Sequence, residues 1–310
     1  MGNGTRKAGN REKLGNLMLI MAAMIWGTAF VAQRQGMETI EPITFAAARM
    51  VLSAAVVGLV ALLTSRGSKL LPADRARRRR ASIAGGIGCG VFLALGSVTQ
   101  QMGLVTTTAG KAGFITAMYM LFVPVVNFIL FRKKTTWVVW LAVLIGLTGM
   151  FLLCVNEDFR LERGDAMVFA CALLFTGHIL CCDHFAPLGD PIVISAIQCL
   201  TAALICGAGA FALEEPTWAK VASAAVPIAY CGVMSGGVGF TLQIVAQRFT
   251  DPTVASLLMS LESVFAALAG ALLIGERMRP RELVGCVVMF AAILLVQLPV
   301  GRRGKGDAEI

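Results

Sequence analysis

Residues 107–149 read TTAGKAGFITAMYMLFVPVVNFILFRKKTTWVVWLAVLIGLTG, and residues 250–292 read TDPTVASLLMSLESVFAALAGALLIGERMRPRELVGCVVMFAA. The two stretches keep one register without a gap, offset by 143 residues, so that Tyr119 of the first stands against Glu262 of the second. Working outward, Gly96, Gln100, Thr107 and Ala112 return as Gly239, Gln243, Thr250 and Ala255. Further upstream the offset becomes 149: Pro42 followed by Arg49 returns as Pro191 followed by Gln198, and Trp26 returns as Phe175. One half of the chain is a diverged copy of the other. A duplicated apolar chain is the mark of a secondary transporter, because two related halves can rock about one site at their interface.

The apolar character is strong: 57% of residues are hydrophobic, 15% are charged and the mean hydropathy is +0.78. A soluble domain carries about 25% charged residues. Ten apolar stretches are read, at 14–33, 42–63, 82–103, 107–131, 135–155, 164–182, 191–212, 222–247, 252–274 and 280–298. About twenty helical residues at about 1.5 Å each cross a hydrocarbon core of about 30 Å, so each stretch is long enough to span once. The expectation is an all-α membrane protein of ten transmembrane helices, built as two inverted five-helix repeats. Five is odd, so the second half enters the membrane from the opposite side. The repeats are placed at 14–155 and 164–298, between cytoplasmic tails at 1–13 and 299–310. Basic residues precede the first stretch but no small-residue cleavage site follows it, which reads as a retained helix.

The net charge of +9 does not point to nucleic acid, because the basic residues gather in alternate loops. With the N-terminus inside, the cytoplasmic segments hold 18 of the 27 lysines and arginines, including the run Arg77 to Arg80, and the outer segments hold 8. Arg49 lies inside a helix. This bias places both termini in the cytoplasm. The cluster Arg277, Arg279, Arg281 runs against it, so the second half is oriented by helix parity. All nine cysteines sit in apolar runs and read as small hydrophobes. Cys181, Cys182, Asp183 and His184 find no partner cluster at ligand spacing, so no metal and no cofactor is expected. No connection is long enough for a catalytic or nucleotide-binding domain, and the chain lacks a phosphate-binding GxxxxGK[ST] loop. No enzyme is expected, since paired aspartates or a Ser/His constellation at loop edges are wanting.

The helix-packing residues also recur: Gly86 and Gly90 in the third stretch, and Gly232, Gly236 and Gly239 in the eighth, let backbones approach closely. Pro124 and Pro227 lie within the fourth and eighth, where a missing N–H favours a kink.

These features together resemble the EamA-type transporters of the drug/metabolite transporter superfamily. The resemblance covers nearly the whole chain. In the first half it rests on Trp26-Gly27, Pro42 with Arg49, and Gln100-Gln101-Met102-Gly103-Leu104 through Gly110 to Thr116 and Pro124. In the second it rests on Gly164-Asp165, Gln243 and Gln247, and Ser260-Leu261-Glu262-Ser263-Val264-Phe265-Ala266 leading to Gly275-Glu276-Arg277. Two positions depart from the family pattern. Ser263 stands where proline is usual, which removes the usual cause of a kink in helix nine, and Lys133 occupies the place of the repeat-ending glutamate matched by Glu276. The resemblance implies a multi-pass carrier of the cell membrane, often an exporter of amino acids or related metabolites, with four helices of each repeat around a central cavity and helices five and ten peripheral. A lipid-linked or nucleotide-sugar transporter is the alternative within that class, and a membrane-embedded enzyme a remoter one.

The site is sought among polar side chains at membrane depth, since an ionisable group at the bilayer centre costs at least about 2.5 kcal/mol. Arg49 lies seven residues into the second helix and Glu262 near the middle of the ninth. Arg49 is read as an anchor for a substrate carboxylate, which a guanidinium holds bidentately. Glu262 is read as a coupling or substrate-amine site. With them we place Trp26, Gln100, Tyr119, His178, Gln198 and Gln243 as substrate-binding residues, Gln198 on the side of the cavity opposite Arg49. Gln101, Gln247, Phe30 and Phe175 are weighed beside these as path-lining or merely packing residues, and Lys111, one turn into the fourth helix from the outer side, is read as snorkelling to the outer surface. The partners expected are a small-molecule substrate and the lipid bilayer; a homodimer is an allowed assembly.

Overall fold

A computed structural model describes residues 2–64, 72–106, 109–133, 135–154, 163–274 and 279–297. Thr107, Glu276, the side chain of Lys111, the linker around residue 158 and the tail after Pro299 lie outside the described residues. Among the described residues the chain is helical, without strands: α1 Gly2–Gly36, α2 Pro42–Thr64, α3 Pro72–Leu104, α4 Ala109–Ala117, α5 Tyr119–Phe131, α6 Trp137–Cys154, α7 Arg163–Phe185, α8 Pro191–Leu213, α9 Trp218–Ser223, α10 Ala225–Tyr230, α11 Phe240–Ala246, α12 Pro252–Met259, α13 Glu262–Ala269 and α14 Pro280–Gln297. A π-helical segment, Cys231–Gly239, joins α10 to α11, and another, Gly270–Ile274, follows α13. Among the described residues, eight continuous helical runs are long and apolar enough to cross a membrane: α1, α2, α3, α4 with α5, α7, α8, α10 to α11, and α12 onward.

Local chemistry sets the starts. An acidic residue followed by proline opens α2, α8 and α12, where the proline's missing N–H falls among donors that lack an intrahelical partner anyway. Asp190 accepts from Ile192 N at 3.1 Å and Val193 N at 3.5 Å, and Asp251 accepts from Thr253 N at 2.9 Å. For α2 the cap comes from elsewhere in the chain. Glu214, at the C-terminus of α8, accepts from Ile43 N at 3.0 Å and from Thr44 N and Thr44 Oγ1 at 2.7 Å each. The start of α2 therefore meets the end of α8, and the two run antiparallel. Ion pairs close both ends of this helix pair: Glu41 with Lys220 at one end, Asp190 with Arg78 at 3.2 Å at the other. The hydrogen bond from Lys220 holds the Glu41 carboxyl below its ordinary range. Glu41 and Asp190 are equivalent positions of the duplicated sequence.

Packing follows the same equivalence. α2 lies along α8, and α6 lies along α14. α3 packs on α7 and α8, as the run from α10 to α11 packs on α1 and α2; α1 packs on α12 and α13, as α7 packs on α4 and α5. Exchanging the two halves maps each of these contacts onto another. A side chain on Gly149 would stand 2.8 Å from Gly285 O and from Met289 N, so α6 and α14 touch backbone to backbone. Large apolar side chains such as Leu62, Phe211 and Leu272 are left exposed, as the outer surface of a lipid-embedded bundle requires.

The interruptions are not all where proline puts them. Pro227 separates α9 from α10 at Ala224, four residues before the π segment starts at Cys231. Pro124 lies inside α5, but the fourth run breaks earlier, at Met118, between α4 and α5. Its repeat equivalent, Leu261, lies in the break between α12 and α13, so helix nine is interrupted without a proline. Serines supply the cause. Ser256, Ser260 and Ser263 donate from their hydroxyls to Thr253 O, Leu257 O and Ser260 O at 2.8, 2.7 and 3.1 Å, competing with the helix's own ladder. The first residue beyond each break is a functional candidate: Tyr119 in one half, Glu262 in the other.

Candidate functional site

One cavity lies among these helices, enclosing about 550 Å³ of atom-free space when its open mouth is counted. Trp26, Phe30 and Gln33 of α1, Arg49 of α2, Ser97 and Gln100 of α3, and Tyr119 of α5 come from the first half; Phe175, His178 and Ile179 of α7, Ser235 and Phe240, Gln243 of α11, and Met259 and Glu262 come from the second. Seven of the eight residues singled out in the sequence thus line a single cavity. Gln198 does not. It sits fully buried on α8 behind His178, with its Oε1 3.0 Å from His178 Nε2, so it supports the cavity wall rather than facing Arg49 across it.

The geometry around Arg49 is that of a buried cation awaiting a partner. Its Nη1 donates to Gln33 Oε1 at 2.9 Å, and the same oxygen accepts from Gln101 Nε2 at 3.1 Å. Gln33 therefore orients the guanidinium while supplying no charge. Arg49 Nε is buried without a hydrogen-bond partner, and no carboxylate pairs with Arg49 among the described residues. Gln33 escaped the sequence reading because a lone amide near the end of an apolar stretch looks like an interfacial residue.

Glu262 is the complementary case. Tyr119 donates from its hydroxyl to Glu262 Oε1 at 3.0 Å, and no cation contacts the carboxylate among the described residues. The two partners are the equivalent residues of the duplicated stretches.

The remaining polar groups are held by neighbours. Gln100 Nε2 donates to Thr116 Oγ1 at 3.3 Å; Gln243 Nε2 donates to Gln247 Oε1 at 3.1 Å, and Gln247 Nε2 donates to Ile179 O at 3.0 Å. Trp26 Nε1 donates to Ser235 O at 3.2 Å, a carbonyl within the π segment, and its ring lies 5.0 Å from that of Phe240. Ser53 Oγ donates to Gly232 O at 2.7 Å in the same segment. π-helical segments inside α-helices are frequent at functional sites, where they free carbonyls and re-aim side chains. Asp183, at the end of α7, pairs with Lys133 at 3.6 Å, which places the unusual Lys133 in a contact between the halves.

A membrane-spanning bundle of two equivalent halves around one polar cavity is the architecture of a transporter. The chain belongs to the EamA-like transporter family: the family's sequence model matches residues 13–155 and again 162–298. It is 24% identical over 293 residues to an uncharacterized transporter of Archaeoglobus fulgidus, a match covering 94% of this chain and 88% of that one. Its fold is similar to that of a solved crystal structure with a TM-score of 0.74 at 18% identity, covering 91% of this chain and 96% of the other. Family and relative alike indicate a multi-pass membrane transporter rather than an enzyme.

Proposed function

We propose that the chain is a secondary carrier that moves small zwitterionic metabolites, amino acids above all, out of the cell by alternating access. The observation that carries this reading is two ionisable groups on one cavity, the Arg49 guanidinium and the Glu262 carboxyl, neither with an ion-pair partner among the described residues. A buried charge without a partner is strongly destabilising. A solute bearing a carboxylate and an ammonium group supplies both partners at once. Trp26, Phe175 and Phe240 offer an apolar face for the solute's side chain, while Gln100 and Gln243 offer amides on the two sides.

The carrier reading includes ten spans in the cell membrane, as two inverted repeats with both termini cytoplasmic. The antiparallel packing of α2 with α8 supports the inversion, and so do the equivalent ion pairs at its opposite ends. α6 and α14, each 18 residues, reach about 27 Å at 1.5 Å per residue, close to the hydrocarbon thickness. Reporter fusions at Gly67 and Gly304 are expected to read cytoplasmic and one at Asp158 external. An external reading at Gly304 would overturn the ten-span topology.

The substrate class is tested by thermal unfolding of the purified protein across a metabolite panel. A ligand that binds only the folded state at a hundred times its Kd adds about 2.7 kcal/mol of stability. Zwitterionic amino acids are expected to raise the melting temperature, and their amides or decarboxylated amines to lose the effect. Stabilisation by nucleotide sugars or lipid-linked sugars alone would replace this reading by the alternative one.

A further inference from the structure

The sequence offered the cluster Cys181, Cys182, Asp183, His184 no metal-binding partners, but the fold brings two. Cys89 of α3 and His178, one turn before Cys182 on α7, converge with Cys182 so that one sulfur or nitrogen atom from each lies within 4.8 Å of the others. Cys89 Sγ stands 3.5 Å from Cys182 Sγ, and Cys182 Sγ stands 3.7 Å from His178 Nε2. Around a tetrahedral zinc ion with Zn–S of about 2.3 Å and Zn–N of about 2.0 Å, neighbouring donors are about 3.5–3.8 Å apart. Two of the three donor pairs already have that spacing, and the third lies within 4.8 Å.

We propose that Cys89, Cys182 and His178 form a binding site for a soft divalent cation of the zinc class, set into the wall of the cavity between α3 and α7. Donor chemistry restricts the choice first: thiolate and imidazole select zinc-like and copper-like ions over calcium and magnesium. Charge restricts it further. All three residues are buried, and a net charge left in such surroundings is costly. Two thiolates and one neutral imidazole balance a divalent ion and leave a monovalent one with an excess negative charge. An ion would replace the Cys89–Cys182 and Cys182–His178 contacts and break the His178–Gln198 hydrogen bond, so three metal–ligand bonds stand against these weaker contacts. An ion held here would tie α3 of the first half to α7 of the second and withdraw His178 from the cavity. That consequence rests on the transport reading; the site itself does not.

The test uses the full-length protein in detergent, freed of metal under a phosphine reductant, with Co²⁺ as the probe. One Co²⁺ per chain is expected, with thiolate-to-metal charge-transfer absorption and the visible bands of tetrahedral cobalt, both erased by equimolar Zn²⁺. Cys89→Ser and Cys182→Ser should each weaken binding at least tenfold, His178→Gln should keep a weaker charge-transfer band, and Cys286→Ser on α14 should change nothing. Cys89→Ala and Cys182→Ala, checked by gel filtration and helical circular dichroism, exclude misfolding as the cause. Absence of the charge-transfer band in the reduced wild type would overturn the proposal. So would an unchanged band in the Cys89→Ser/Cys182→Ser double variant, or recovery of the pair as a disulfide with no cobalt uptake after reduction.

Discussion

Arg49→Lys is expected to weaken substrate binding by about 10- to 100-fold while the protein keeps its fold and its charge. Arg49 is held in place by neutral groups alone: Gln33 Oε1 accepts from its Nη1, and Gln101 fixes Gln33 from the other side. This clamp sets the plane of the guanidinium, so the remaining N–H groups are presented as a fork that matches a carboxylate. An ammonium group keeps the attraction but reaches the carboxylate as a point charge on a flexible stem. Losing one charge-assisted hydrogen bond costs about 1.5–3 kcal/mol, and every 1.4 kcal/mol is about tenfold in affinity. The measurement is the ligand concentration giving half-maximal thermal stabilisation, with the ligand-free melting temperature as the control for folding. A lysine variant that folds normally and binds as tightly as the wild type would leave Arg49 as a structural cation bonded to Gln33 and nothing more.

What the sequence made legible was largely what repeats. The apolar stretches and acidic-proline starts mark the helices, because a missing N–H at a helix start is tolerated and an acidic neighbour caps the free donors beside it. The duplicated register even pairs Tyr119 with Glu262, which the fold brings to 3.0 Å. What was not legible depends on contacts between helices far apart in sequence. Gln198 is the equivalent of Arg49, yet it lies behind His178, because equivalence in sequence does not make the two side chains equal in reach or in neighbours. Cys89 is a solitary cysteine in an apolar run until α3 packs on α7. His184, the histidine nearest the cysteine pair in sequence, is not the one that joins it; His178 lies one turn away on the same face of the helix as Cys182. The interruption before Glu262 carries no proline and is written instead in three serines, one in α12, one in the break and one at the start of α13.

Glu262→Gln is expected to abolish accumulation driven by a pH gradient while retaining substrate exchange, at a weakened affinity. The carboxylate stands just past the break between α12 and α13, with one oxygen taken by the Tyr119 hydroxyl and no cation in contact among the described residues. Charge balance at that point is therefore left to what enters the cavity, either a substrate ammonium or a proton. Because Tyr119 and Glu262 come from different halves, any rocking of one half against the other would change the surroundings of this pair. In one facing state the carboxylate meets the substrate's ammonium; in the other, with the solute gone, a proton takes its place. If Glu262 acts in this way, each turnover would exchange one solute for one proton and so couple the two gradients. Glutamine keeps the size and a hydrogen-bond acceptor for Tyr119 but takes up no proton and offers the ammonium no charge, so coupling is lost and the substrate is held more weakly. The experiment compares wild type and variant in proteoliposomes, with an imposed pH gradient in one series and substrate-for-substrate exchange in the other. Equal dependence on the pH gradient in the two proteins would sink the coupling role and leave Glu262 as a hydrogen-bonded wall residue, whereas loss of exchange together with accumulation, in a folded variant, would make it part of substrate binding alone.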